Sequence, residues 1–368
     1  MNICKFDRKL RRRSFIKRGI LATCGLSLSG LESMGGGNGD SIPSYLRAYS
    51  AEYGEDPRAA ALKWFEEAKF GLFMHYGLYS LLEGFYDGKH SRPAEWVLKR
   101  TSITVPEYEK LTKDFTAKNF DADFISDLAL EAEMKYINIT TRHHDSFCLW
   151  DTQQSDFKST NTPAKRDLVA ELAEQCREKG LGLCLYYSHG RDWRHYHAPR
   201  SMTRGGKRYR DPGVDIMEYV EFMNKQVTEL LTNYGPVAAI WLDGIGHAQP
   251  LRRHTQQLYD LIHSLQPQVL VSYKQGFLGN EDFMAPERNF KGEPAKPLEL
   301  CNTLQRHSWG YDRRDDGNHR KPDEVMQMIE KAWAMPANLL LNTGPLPDGS
   351  IYPGDVKTLR EVGRRLRA

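Results

Sequence analysis

An aspartate that ends an apolar run is the chain's sharpest chemical feature: Ala238-Ala239-Ile240-Trp241-Leu242 leads directly into Asp243-Gly244. A carboxylate on the rim of a buried strand is either tied down by partners or poised to react. The structural alternative is a helix N-cap, but Gly244-Ile245-Gly246 offers no helical start. Four more apolar runs end in hydrogen-bonding side chains: His75-Tyr76-Gly77, Arg142-His143-His144-Asp145, Tyr187-Ser188-His189 with Asp192-Trp193, and Lys274-Gln275-Gly276. Singly, each set is ordinary structural chemistry; together they suit a small polar ligand.

Side chains so far apart in sequence need a scaffold that brings strand ends together. From about residue 58 the chain alternates strand-like and helix-like segments. β-rich runs fall at Phe70–His75, Tyr136–Thr141, Gly182–Tyr187, Val237–Leu242, Val269–Ser272, Glu299–Leu304 and Asn338–Asn342. Helical patterns fall at Asp121–Met134, Arg166–Lys179 with Gly180 as its C-cap, Val214–Tyr234, Arg252–Leu265, Pro322–Trp333 and Asp355–Leu366. Strands that alternate with helices form a parallel sheet. The number of repeats predicts an α/β fold of (β/α)8-like, TIM-type barrel architecture with one irregular strand, whose functional residues gather at the C-terminal strand ends. Phe70-Gly71-Leu72-Phe73-Met74-His75 is not followed by a glycine-rich dinucleotide loop, and no cofactor is predicted.

The composition fits a soluble globular protein, with 40% hydrophobic and 27% charged residues. The net charge of +3 misleads, because residues 1–40 hold eight of the 51 Lys/Arg and only three of the 48 Asp/Glu. The rest of the chain is near neutral at −2, which gives no electrostatic reason to expect nucleic acid. Residues 1–40 read as a twin-arginine export signal and flexible leader, and 58–368 as the catalytic barrel domain. Arg12-Arg13-Ser14-Phe15 precedes a short apolar stretch, which predicts a periplasmic or secreted protein. Cys24 is a candidate lipid-anchor position, although Thr23 is bulkier than the residue usual there. Cys148, Cys176, Cys184 and Cys301 lack metal-type spacing, and Cys148 and Cys184 read as buried thiols.

Several segments together resemble the α-L-fucosidases of glycoside hydrolase family 29. They are Trp64–Ser80, Glu95-Trp96, Lys135–Trp150, Gly182–Ser188 with Trp193, Gly235-Pro236 through Trp241-Leu242-Asp243-Gly244, and Asn338–Pro345 with Asp348-Gly349. The resemblance covers about residues 60–367 in order. It implies a retaining exo-α-L-fucosidase, acting by double displacement on fucosylated oligosaccharides or polysaccharides, with Asp243 as nucleophile. Retention needs a second carboxyl as acid/base roughly 5–5.5 Å away. The family pattern favours Glu287, with Glu299 second and Glu281 behind. It also implies that His75, His143, His144 and Tyr187 bind fucose hydroxyls, that Glu95 and Trp96 close one side, and that Trp241 packs near the methyl group.

Lys274 departs from the family's usual arginine, keeping the charge but losing the planar fork. The chain stops at Ala368, so the C-terminal β-sandwich of many relatives is not expected. The basic segment Arg200–Arg210 reads as a solvated loop, with a sulfated or acidic glycan as the other reading. Rival functions are an α-glycosidase acting on another sugar such as galactose, a noncatalytic glycan-binding barrel, and a metal-dependent hydrolase. The last lacks the paired histidines such sites place on the first strand, and no metal ligands are assigned.

Overall fold

Gly182–Ser188 is buried along its whole length, as a strand covered on both faces must be. Eight such parallel strands close into a barrel in chain order. They are β1 (Phe70–Met74), β2 (Tyr136–Arg142), β3 (Gly182–Ser188), β4 (Ala239–Asp243), β5 (Leu270–Tyr273), β6 (Phe283–Met284), β7 (Leu298–Thr303) and β8 (Ala337–Thr343). Pairing of β1 with β8, Phe70 opposite Leu339, completes the ring. This computed structural model describes residues 42–205, 208, 210–244, 251–274 and 278–368. The leader with Cys24, Gly246, Gln275, Gly276 and Lys207 lie outside the described residues.

The barrel agrees with the sequence-based expectation, and β6 is the irregular strand. It is only two residues long, below the length at which alternation or a β-rich run can register.

Helices α1 (Pro57–Ala68), α2 (Ala122–Glu131), α3 (Leu168–Lys179), α4 (Ile216–Thr232), α5 (Arg252–Leu265), α6 (Pro322–Trp333) and α7 (Pro353–Leu366) account for the longer helical segments. Aspartates start four of them: Asp56, Asp121, Asp167 and Asp215 each accept hydrogen bonds from first-turn backbone N–H groups. Each such cap is worth about 1 kcal/mol. Gly180 ends α3 in the left-handed conformation, as its position predicts.

The period-two pleat sorts side chains into two cores. Leu72, Ile137, Leu185, Ile240 and Leu341 face the surrounding helices. Phe73, Tyr136, Cys184, Trp241 and Leu340 fill the barrel. Tyr45, Leu46, Trp64 and Phe65 join this inner group from below and stopper the N-terminal end, with the Tyr45 hydroxyl donating to the Val237 carbonyl just before β4. A Cβ on Gly182 would lie 2.5 Å from the Trp64 ring, so the stopper requires glycine there. The compact unit runs from Ile42 to Ala368 and includes these early residues. Cys148, Cys176, Cys184 and Cys301 are all buried and unpaired.

Candidate active site

The closed lower end leaves the C-terminal strand ends as the place for chemistry, and a cavity of about 270 Å³ opens there. Asp243, the last residue of β4, is its best-held member. The hydroxyl of Tyr186 donates to Oδ2 at 2.8 Å, and the Lys274 ammonium stands 3.4 Å from Oδ1. His144 Nε2 lies 3.6 Å from Oδ2. Burial alone would raise this carboxyl, but Lys274, Arg191 and the Tyr186 hydrogen bond outweigh it and hold it well below the ordinary carboxylate range. Asp243 is therefore ionised at neutral pH.

The histidines are neutral, and His75 and His144 have definite tautomers. Asn342 donates its amide to the Trp309 carbonyl at 2.8 Å, so its side-chain oxygen must accept from His75 Nδ1 at 2.7 Å. Ser188 donates to the Arg191 carbonyl and therefore accepts from His144 Nδ1 at 2.6 Å. Both rings keep Nε2 as an acceptor, and for His144 an Arg191 N–H approaches it at 3.4 Å. Burial pushes His75 and His144 down to about 3, and pushes His143 well down too. With His144 neutral, Lys274 and Arg191 are the charges that keep Asp243 ionised. His143 stacks on Tyr186 at 5.5 Å and completes the wall.

Glu95 and Trp96 line the cavity as expected from the sequence. Glu95 also organises the opposite wall, because its Oε2 accepts from the backbone N–H groups of Trp309 and Gly310 at 3.1 and 2.9 Å. Burial raises its carboxyl to about 7, against the pull of those donors. Trp241 forms part of the floor, and its indole N–H donates to Glu299 at 2.9 Å.

The two candidate acids separate sharply. Glu287 lies just past β6, lines the cavity and forms an ion pair with Lys274, which thus touches both Glu287 and Asp243. Glu299 is not brought to the cavity. It lies inside the barrel beneath Trp241, with its second oxygen taken by the Tyr136 hydroxyl at 2.6 Å, and burial raises it to about 7. Its place on β7 points it inward, but a level too low. Glu281 accepts from Leu278 and Gly279 backbone N–H groups and does not line the cavity.

Tyr187 also departs from expectation. Its ring supports the buried Arg142 guanidinium at 4.3 Å and its hydroxyl donates to Gln226 at 2.9 Å, outside the barrel. Tyr186 occupies the inward position instead. The pleat rule was the available signal, since neighbouring residues on a strand face opposite sides. Arg191, Trp309, Phe73 and Arg100 also line the cavity. Arg191 and Trp309 lie on loops and Arg100 ends the four-residue helix Val97–Arg100, segments in which periodicity says nothing. Among the described members of the basic loop, Arg194 pairs with Glu109, Arg204 donates to the Pro199 carbonyl, and none lines the cavity.

A closed parallel barrel whose strand ends gather neutral histidines, aromatic faces and two carboxylates around one ammonium has the design of a glycoside hydrolase barrel. The chain belongs to the alpha-L-fucosidase family, whose model matches residues 44–368. It is 34% identical to alpha-L-fucosidase isoenzyme 1 from Paenibacillus thiaminolyticus, with a TM-score of 0.74, covering 85% of this chain and 76% of that one. Alpha-L-fucosidase AlfC from Lactobacillus casei, solved with α-L-fucose product, is 30% identical with a TM-score of 0.74, covering 83% of this chain and 97% of that one. Rat tissue alpha-L-fucosidase is 28% identical over 327 residues, covering 83% of this chain and 68% of that protein. The chain spans 64% of the length of a Caenorhabditis elegans relative, at 27% identity.

Proposed function

We propose that the protein is a retaining exo-α-L-fucosidase in which Asp243 is the nucleophile and Glu287 the acid/base. The observation that carries this reading is the single Lys274 ammonium in contact with both carboxylates. Oxygens that share one cation lie within about two hydrogen-bond lengths, near the roughly 5–5.5 Å that double displacement uses. An Asp243 oxygen attacks the anomeric carbon as the bond to the leaving oxygen breaks, and Glu287, which enters this step in its protonated form, gives that oxygen its proton. Glu287 then takes a proton from water, whose oxygen displaces Asp243 and releases fucose. The neutral imidazoles of His75, His143 and His144 suit sugar hydroxyls, and Trp241 with Phe73 offers apolar surface for a methyl group. Glu299 fits a different role, anchoring Trp241 from below.

The test is hydrolysis of nitrophenyl α-L-fucoside followed by NMR, with Asp243→Ala and Glu287→Ala alongside. The α-anomer of fucose should appear first, and azide should restore turnover to Glu287→Ala. First release of the β-anomer, or undiminished activity in Asp243→Ala, would sink the mechanism. The Arg12-Arg13 leader supports export by the twin-arginine route, with Cys24 as a lipid attachment point. Cell fractionation of Arg12→Lys/Arg13→Lys and Cys24→Ala variants tests the two separately.

A further inference from the structure

A fucose ring is uncharged, and the neutral histidines, Trp241 and Phe73 already match its hydroxyls and methyl group. The Trp96 wall carries something such a ring does not need. The guanidinium of Arg191 rests over the Trp96 ring at 5.0 Å and that of Arg100 at 5.4 Å, and both arginines line the cavity. Neither has a carboxylate within ion-pair distance among the described residues, in contrast to Arg142 with Asp192 and Arg194 with Glu109. Arg191 is also built into place. Gly244, at a φ of 85°, makes room for its stem, since a Cβ there would meet Arg191 Cγ at 3.2 Å.

Charge in the cavity is unevenly distributed. Lys274 serves Asp243 and Glu287 together, so the arginines add positive charge on the Trp96 side without a protein counter-charge in contact. Arg191 spends one N–H on His144 and retains others, and a guanidinium presents its donors in a fork that fits an oxyanion. Contact with an indole holds each guanidinium at the wall, and Arg100 keeps donors beyond the one it gives to the Arg92 carbonyl.

We propose that Arg191 and Arg100 form an anion subsite beside the sugar pocket, which receives an oxyanion substituent of the substrate: a sulfate ester on the fucose, or a carboxylate or sulfate on the sugar attached to it. The inference rests on the fucosidase reading for the occupant of the pocket. It differs from the basic-loop alternative, because the arginines involved belong to the cavity wall itself.

The experiment is calorimetric titration of the full chain with methyl α-L-fucoside, with its three mono-O-sulfates, and with a fucosylated glucuronate. Nitrophenyl α-L-fucoside hydrolysis is measured in parallel. At least one anionic ligand should bind about tenfold tighter than the neutral fucoside, a gain that added salt erodes. Arg191→Ala should remove most of that ratio, and the exposed Arg100→Ala part of it, in variants whose melting temperature is checked. Preference for a sulfated fucoside places the anion on the fucose, and preference for the glucuronate places it on the neighbouring sugar. Equal or weaker binding of every anionic ligand overturns the subsite. So does an Arg191→Ala variant that weakens neutral and anionic ligands by the same factor, since Arg191 would then serve only to keep Asp243 ionised. Failure of nitrophenyl fucoside hydrolysis strikes the fucosidase reading instead, while the binding ratio continues to report on the arginines.

Discussion

The two sides of the barrel rim hold their carboxylates in opposite ways. Asp243 closes a five-residue strand, is 6% exposed, and is fixed by a tyrosine hydroxyl and a lysine. Glu287 follows a two-residue strand, has a side chain 40% exposed, and is held by the same lysine. A nucleophile must meet one atom along one line, so rigid support helps it. An acid/base must serve leaving groups of different shape and give up and regain a proton within each cycle. Looser support on the outer side of the pocket is compatible with both demands.

The largest break in this contrast is Asp243→Asn, which should lower kcat for nitrophenyl fucoside by at least about a thousandfold while leaving the fold intact by circular dichroism. Next comes acid. The closed side carries His75 and His144, both shifted from 6.5 to about 3. Their unfolded forms bind protons first, so the stability that comes from keeping them neutral is complete above about pH 6.5. It is lost progressively as pH falls toward about 3. Glu95 and Glu299, raised from 4.5 to about 7, act with the opposite sign over the same range, so the imidazole share is read as a difference. Removing one ring by His75→Gln should make the change in melting temperature from about pH 7 to about pH 5 less unfavourable than in the parent by about three degrees. Parent and His75→Gln profiles that run parallel over this range would show that the His75 ring is charged in the fold.

Glu287→Gln should cost about a hundredfold on a natural sugar leaving group and far less on nitrophenolate, which departs without protonation. Equal losses on both would assign the proton to another group. The smallest effects come from adjacent tyrosines. Tyr186→Phe removes the donor to Asp243 and should reduce kcat/KM about tenfold. Tyr187→Phe should leave kcat/KM near the parent value and cost about 1 kcal/mol of stability through Gln226. The opposite pattern would reverse the assignment of faces.

That tyrosine pair also marks how far the sequence could be read. Long buried strands declared themselves, and with them the barrel, Asp243, His75, His143 and His144. Strand β6 did not, because two residues carry no period, although the Phe283–Glu287 motif beside it pointed to a glutamate that lines the cavity. Tyr187 and Glu299 were misplaced for related reasons. A motif match locates a strand but does not say which of two neighbours faces inward, nor how deep along the barrel a side chain sits. Arg191 and Trp309 were invisible because loops fix them through Ser188, Glu95 and Asn342, partners that are remote in sequence or have no spacing rule.

Closure of the ring through β1 and β8 has a consequence for synthesis. Phe70 waits for Leu339, and Met74 for Thr343, so the barrel keeps two open edges until β8 has left the ribosome. Contacts between partners so distant in sequence slow folding. An emerging chain with exposed parallel edges depends on reaching its last strand before it meets another copy. Premature termination anywhere before β8 should therefore yield aggregate rather than a smaller working enzyme.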